Sequence, residues 1–188
     1  MANPNNPFGF RPIIRSGGSP FSVVQYAKPA TDVNPLFSFD VVQKVVGAAV
    51  LAEAPNYNLP TIQTAYTATP GTTLYLGSSI GFGAASTLSV HSVSDELDVV
   101  FLAQAKTGVA VTTALHAGKN ANLSLTQAGN LLTKMSRMAI DSATIAAGAG
   151  LDFRIRSIAM ISPNVEGDSA ILEVTINKHF SAQGSAGI

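Results

Sequence analysis

Three histidines are the first side chains of this sequence that could act in acid–base or metal chemistry. His91, His116 and His179 lie in separate segments, and no two of them have the four-residue spacing at which a helix presents two zinc ligands on one face. His91 falls on the polar side of a run that carries Leu88 and Val90, and His179 follows the last strand-like run. We therefore interpret each histidine as a surface or strand-edge residue and predict no metal site.

Other chemical motifs are sparse. Asp95, Glu96 and Asp98 form the densest acidic cluster, which could bind Ca²⁺ or work as an acid–base pair. No Asp/Asn/Gly calcium-loop pattern accompanies the cluster, so a solvated turn is favoured. The segment Gly81–Ser86 has two glycines of a dinucleotide loop but lacks the third, and the absence of Cys excludes thiolate chemistry. The sequence thus predicts no catalytic residue, no cofactor and no enzymatic activity.

The charge content points to a different class of function. Eleven basic and eleven acidic residues make up only 12% of the chain and cancel to a net charge of +0, while 46% of the residues are apolar. A free globular domain usually has about a quarter of its residues charged, with a net charge that keeps molecules apart. We therefore predict that partners cover much of the surface and that the protein is a component of an assembly. The alternative is a soluble domain with a neutral Ser/Thr/Asn-rich surface.

Two classes of partner are disfavoured. The basic residues are scattered, whereas nucleic-acid binding depends on Lys and Arg clustered against phosphates. The apolar run Val45–Ala52 is far shorter than the roughly 20 residues that a membrane helix needs. We expect no nucleic-acid partner and no membrane partner.

The chain divides into three parts. Residues 1–20 are predicted to form an extended N-terminal arm, because four prolines block helix formation there. Residues 21–180 are predicted to form the folded domain, and the small, polar residues 181–188 a flexible C-terminal tail.

The arm is unusually apolar for a solvated segment, since disordered tails rarely carry several large hydrophobic side chains. These side chains either fold back on their own domain or dock on another subunit, and docking is the favoured interpretation. Deleting residues 1–20 is then expected to leave a folded domain that no longer binds its partner. The predicted partner-binding residues are Phe8, Phe10, Arg11, Ile13, Ile14 and Arg15.

From residue 21 onward the pattern is that of β-structure. Short runs rich in β-branched and aromatic residues alternate with turn residues, an arrangement typical of a sandwich or barrel. The predicted fold class is all-β, an antiparallel β-sandwich or jelly-roll-like β-barrel. The run from Leu97 to Ala103 is apolar on both faces and predicts a central strand or one that faces a neighbouring subunit. Residues 131–140 are compatible with a strand, which is favoured, or with a helix face.

The clearest local pattern lies near the C-terminus. Leu151–Arg156 alternates strictly, which places Asp152 on a wet face, and Ala170–Asn177 alternates in the same way. The turn-rich linker between the two runs predicts an antiparallel hairpin, across which Glu173 could pair with Arg154 or Arg156.

Several segments resemble small virion proteins of tailed bacteriophages. These are the opening Asn5–Pro12, the closing Pro163–His179, and the internal stretches Thr107–Ala110, Gly118–Leu123 and Ile140–Thr144. The resemblance is to capsid decoration, or cement, proteins. It implies a β-sandwich or β-barrel module on the outer surface of the capsid, which forms a homo-oligomer (a dimer or trimer) and clamps neighbouring subunits of the major capsid protein.

The alternative within structural proteins is a tail or fibre component that binds host surface glycans. Such a protein would be expected to expose an aromatic platform, whereas this chain has no Trp and only four Tyr.

Overall fold

The computed structural model of the chain describes residues 3–45, 59–126, 129–182 and 187. Residues 46–52 of the apolar run Val45–Ala52, and most of the tail at 181–188, therefore lie outside the described residues. The elements, in chain order, are β1 (Arg11–Arg15), β2 (Val24–Lys28), β3 (Val41–Lys44), β4 (Ile62–Thr64), a 3₁₀ helix (Ala65–Thr67), β5 (Gly77–Ile80), β6 (Ser89–Ser94), β7 (Val99–Gln104), α1 (Thr113–His116), β8 (Asn120–Ser124), β9 (Ala139–Ala146), β10 (Phe153–Ile158) and β11 (Ile171–Ile176).

These strands form two packed antiparallel sheets, which confirms the predicted all-β class and its β-sandwich alternative. The six-stranded sheet has the order β1-β7-β11-β10-β8-β9, and the five-stranded sheet has the order β2-β6-β5-β3-β4. Strands that are distant in sequence therefore lie side by side, as where β7 is hydrogen-bonded to both β1 and β11.

The main core lies between the sheets. The apolar side chains of β7, β8, β10 and β11 meet there with Phe10 and with Val41 of β3. The next residue, Val42, points to the opposite face of the five-stranded sheet, because successive strand residues alternate between faces. It joins a second buried cluster with Tyr26, Ile62 and Val93. The five-stranded sheet therefore has buried apolar side chains on both faces, whereas an antiparallel sheet commonly has one face in contact with solvent.

The N-terminal segment is part of this architecture. Strand β1 pairs antiparallel with β7 at the edge of the six-stranded sheet, where Pro12 is tolerated because its missing N–H removes no central ladder bond. Before β1, the backbone of Phe10 donates to the carbonyl of Phe39 over 2.8 Å and accepts from the Ser78 hydroxyl over 2.6 Å. Residues 11–15 of the predicted arm are thus a strand of the chain's own sandwich.

The predicted C-terminal hairpin is confirmed, since β10 and β11 pair antiparallel. A β-bulge between Ile155 and Ser157 leaves Arg156 as the extra residue, and Ser157 rather than an arginine lies opposite Glu173. The Ser157 hydroxyl donates to the Glu173 carboxylate over 3.0 Å. The wet position predicted for Asp152 is wrong, because this residue is fully buried.

Neither alternative predicted for residues 131–140 describes the whole segment. Residues 131–134 form a turn, and β9 begins only at Ala139. The carboxamide oxygen of Asn130 accepts the backbone N–H groups of Leu132 and Thr133, which stabilises the turn against both a strand and a helix. The predicted two-sided apolar strand near residue 100 is confirmed, because Val99 and Val100 are both buried.

Candidate interaction surface

The predicted partner-binding residues of the N-terminal segment occupy very different environments. Phe10 is only 1% exposed and packs in the main core, so its predicted docking on another subunit is corrected: it folds back on its own domain. Arg11 and Ile14 are exposed, and Ile14 shares the outer face of the six-stranded sheet with its partner Val100. Phe8, Ile13 and Arg15 are half-buried.

The acidic cluster connects the N-terminal segment to the β6–β7 turn. Both oxygens of Asp98 accept from the guanidinium of Arg15, at 3.0 and 3.2 Å. Glu96 accepts the N–H and hydroxyl of Ser22, and Asp95 accepts the Tyr26 hydroxyl over 2.6 Å. These carboxylates therefore have structural partners in addition to solvent.

Met160, the most exposed large apolar side chain among the described residues, lies in the loop of the β10–β11 hairpin. Residues 157–166, with Thr113 and Glu173, line an open groove of about 800 Å³ on the outer face of the six-stranded sheet; we name it the hairpin groove. Met160 is 99% exposed, and Ile161 and Val165 are each more than a third exposed. The sequence signal for this exposure is an interrupted alternation, because several apolar residues follow one another from Ile158 onward.

Asn164 gives the loop its shape. Its amide group donates to the carbonyls of Ala159 and Ile171, and its oxygen accepts the N–H of Ile171, each over 2.8 Å. One side chain thus satisfies three backbone groups at the end of the hairpin. The apolar residues of the groove are held in position by this contact rather than by burial.

A second groove, of about 400 Å³, continues along the same strands. It is lined by Ser16, Gly118, Arg154, Ile155, Arg156 and Thr175, and we name it the arginine groove. Arg156 is exposed, and its guanidinium donates to the Ser16 hydroxyl. The hairpin groove instead has Glu166 and Glu173 at its margin. The outer face therefore has a basic end and an acidic, apolar end.

Two buried ionisable residues, Asp40 and Lys28, lie in the five-stranded half of the molecule. Asp40 accepts the N–H of Phe37 over 2.9 Å and the hydroxyl of Thr64 over 3.2 Å, and burial raises its pKa to about 7. The Lys28 side chain is fully buried and donates to the carbonyl of Asp32 over 3.0 Å. Burial lowers the pKa of Lys28, and the Asp32 carboxylate opposes that shift.

His91 is buried rather than at the surface, so its sequence-based interpretation is wrong. Burial, and secondarily the charge of Lys28, lower its pKa to about 4. Its ring nitrogens contact the hydroxyls of Ser79 over 3.4 Å and Ser89 over 2.7 Å. The predicted faces are reversed: the His91 ring is buried beside Gly83 of the β5–β6 loop, whereas Val90, on the opposite face of the strand, is exposed.

The contact between Ser79 and His91 involves a motif that the sequence analysis did not single out. Ser79 is the central residue of Gly77-Ser-Ser-Ile-Gly81, a Gly-x-Ser-x-Gly pattern. In hydrolases such a serine lies on a sharp strand-to-helix turn that exposes its hydroxyl. Here Ser79 is inside strand β5 and fully buried, and we interpret the pair as a contact between strands.

The other two histidines are also partly or fully buried. His116 is half-buried in α1, and its Nδ1 lies 3.0 Å from the N–H of Thr112. His179 is buried against Tyr75, so it is a strand-edge residue but not a surface one. Within the described part of the chain, no three His, Asp or Glu side chains are grouped as metal ligands would be.

Comparison with known proteins gives no relative: no family model, no curated protein and no solved structure matches this chain. Among the described residues, no helix is long and apolar enough to cross a membrane.

Proposed function

We propose that the protein is a structural virion protein that binds the outer surface of a bacteriophage capsid, contacts neighbouring major capsid subunits and stabilises the shell. It acts through its surface as a cement or decoration protein does, without catalysing a reaction. The proposal combines the sequence resemblance with a surface suited to binding other chains.

The exposed apolar loop of the β10–β11 hairpin carries this proposal. A fully exposed methionine beside two further exposed aliphatic side chains is unfavourable for a chain that diffuses alone, and such apolar patches mark interaction sites. The low charge content of the whole chain favours the same conclusion, because a net charge of +0 provides little repulsion to keep the chain from its neighbours. Flexible methionine side chains also adapt well to partner surfaces.

The buried position of Phe10 changes how the clamp is expected to work. The N-terminal segment completes the sandwich, so its exposed residues, Arg11 and Ile14, are the ones available to a capsid subunit. Arg11 and Ile14 lie on the outer face of the six-stranded sheet, and Met160 lies in the β10–β11 loop of the same sheet. A rigid face of this kind binds with a lower ordering cost than a flexible arm.

A particle-binding experiment tests the function. Purified protein is added to particles of the phage that encodes it, prepared without this protein; bound copies are counted after sedimentation, and the temperature of particle rupture is measured. We expect saturable binding and a higher rupture temperature. Met160→Asp should reduce both, since a carboxylate at the contact would be desolvated.

Leu132→Asp is the matched control, because Leu132 is 94% exposed in a turn outside the hairpin groove. It should bind and protect particles like the unmodified chain. Absence of saturable binding, or binding with no change in rupture temperature, would overturn the proposed function. Binding to glycans of the host surface instead of particles would favour a tail or fibre role.

A further inference from the structure

The chain segment well before β1 is hydrogen-bonded to a wall of the hairpin groove. Residues 3–6, which we name the clasp, contact the β10–β11 loop through the carboxamide of Asn3. This group accepts the N–H of Val165 over 3.0 Å and donates to the carbonyls of Val165 and Asp168 over 2.8 and 3.1 Å. Val165 lines the groove, whereas Asn3 does not. A side chain near the start of the sequence therefore holds part of the groove in place without facing it.

Gln104 holds the clasp at a second point. This residue ends β7 and is only 3% exposed, and its side-chain oxygen accepts the N–H of Asn6 over 2.9 Å. Its amide nitrogen donates to the carbonyl of Pro4 over 2.8 Å and to that of Ser169, just before β11, over 2.9 Å. One buried carboxamide thus connects the clasp both to the sheet and to the end of the hairpin loop.

The clasp is held by side chains and not by a β-ladder. Pro4 has no N–H to donate, and residues 3–6 belong to no strand. Among the described residues, the backbone N–H and carbonyl of Val165 are hydrogen-bonded to Asn3 alone, whereas residues 166–168 are also held by the segment between β7 and α1. Segments held by a few solvent-exposed hydrogen bonds open more readily than core strands do. Opening of the clasp therefore releases the backbone of the loop at Val165.

We propose that the clasp positions the hairpin groove for its partner, and that Asn3 and Gln104 are positioning residues of this site although neither lines it. With the clasp closed, the loop is already ordered, so the partner does not have to order it on binding. With the clasp open, the apparent affinity falls with the fraction of molecules that present the ordered groove. The inference rests on the proposed function for the identity of the partner, a capsid subunit, whereas the contact between clasp and loop does not depend on it.

Asn3→Ala in the full chain tests the clasp with two measurements. Hydrogen exchange followed by mass spectrometry reports opening of residues 162–168, and co-sedimentation with particles prepared without this protein reports the dissociation constant. We expect exchange in this loop to be about 10-fold faster and the dissociation constant to be about 10-fold higher, because three hydrogen bonds of the loop are lost. Gln104→Met keeps the length of the side chain but removes its carboxamide, and it should change both quantities in the same direction.

Asn130→Ala is the matched control. Asn130 is half-buried like Asn3, and its carboxamide also bonds the backbone of a turn, but that turn lies outside the hairpin groove. The control should leave both the exchange of the hairpin loop and the affinity for particles unchanged. Circular dichroism verifies that each variant is folded, and if Gln104→Met is not folded, Asn3→Ala decides the question.

Unchanged exchange of the hairpin loop in Asn3→Ala overturns the inference, and so does faster exchange combined with an unaltered affinity for particles. Either result leaves the proposed function standing, because the unmodified chain still binds. If the unmodified chain does not bind particles, the capsid function is removed, and the exchange measurement alone then decides whether the clasp holds the loop.

Discussion

The aromatic ring of Phe10 stacks on that of Phe153, with ring centroids 4.5 Å apart and an angle of 28° between their planes. Phe153 also stacks on Tyr75, with centroids 5.7 Å apart. Phe10 therefore forms one end of an aromatic stack that is centred on Phe153 of β10 and has Tyr75, in the segment before β5, at its other end. This contact explains why the first strand belongs to the domain.

Substitution of Phe10 should strongly destabilise the fold. Phe10→Ala removes a buried ring and leaves a cavity, and such substitutions cost about 3–5 kcal/mol of the free energy of unfolding. Ile14→Ala, on the exposed side of β1, should cost less than about 1 kcal/mol. Urea denaturation followed by circular dichroism gives both values. Equal, small effects would show that the N-terminal segment does not pack as described, and deletion of residues 1–20 would then leave a folded domain.

Asn164 should contribute more to the free energy of unfolding than other half-buried polar residues do, because it bonds three backbone groups of the hairpin. Asn164→Ala removes three hydrogen bonds to the backbone and leaves the N–H of Ile171 without this acceptor, so we expect a loss of about 2–3 kcal/mol. Asn5→Ala, at an exposed position, serves as the control and should change stability by less than about 0.5 kcal/mol. Hydrogen exchange should also show faster opening of the β10–β11 loop in Asn164→Ala alone. Unchanged exchange in this loop would contradict the assigned role.

Asp40 should make the protein less stable as the pH rises. Its pKa is raised from an ordinary value near 4 to about 7 by burial, so between these values the folded state retains a proton that the unfolded state has lost. The free energy of unfolding should decrease through this window by up to about 4 kcal/mol and level off above it. Asp40→Asn should remove this contribution. The relevant measurement is the difference between variant and unmodified chain at pH 4.5 and pH 7.5, and a difference independent of pH would contradict the prediction.

His91 should have the opposite effect on the acidic side. Its pKa is lowered to about 4, mainly by burial and further by Lys28, so the unfolded state binds a proton near pH 6.5 that the folded state does not bind. Stability from this residue is therefore complete above pH 6.5 and is lost as the pH falls towards 4. His91→Gln should remove this acid-dependent loss. Denaturation of the variant and the unmodified chain at pH 7 and pH 5 tests this, and parallel losses in both would refute it.

The sequence patterns predicted those features that depend only on residues close together in the chain. Strands β10 and β11 alternate strictly, are separated by a turn-rich linker, and pair with each other as expected. The apolar run around Val99 similarly predicted a strand covered on both faces. In both cases the information lies within a few residues, because alternation with a period of two is a property of a single strand.

The sequence did not predict which polar side chains are buried. His91 and Asp152 both occupy positions that a one-sided strand would expose, yet both are buried. Asp152 receives N–H groups from Leu123 and from Gly71, which is 81 residues away in sequence. Such partners come from other elements, and no local pattern records them.

By itself, the sequence determined that the chain is built of β-strands, where its clearest hairpin lies, and that its surface is poor in charge. Only the tertiary structure decided that Phe10 and strand β1 complete the sandwich instead of extending from it, and that the two grooves share one face. The reason is that alternation and composition act over short distances along the chain. Strand order and burial depend instead on contacts such as that between Phe10 and Phe153, whose free energy is gained only when distant segments meet.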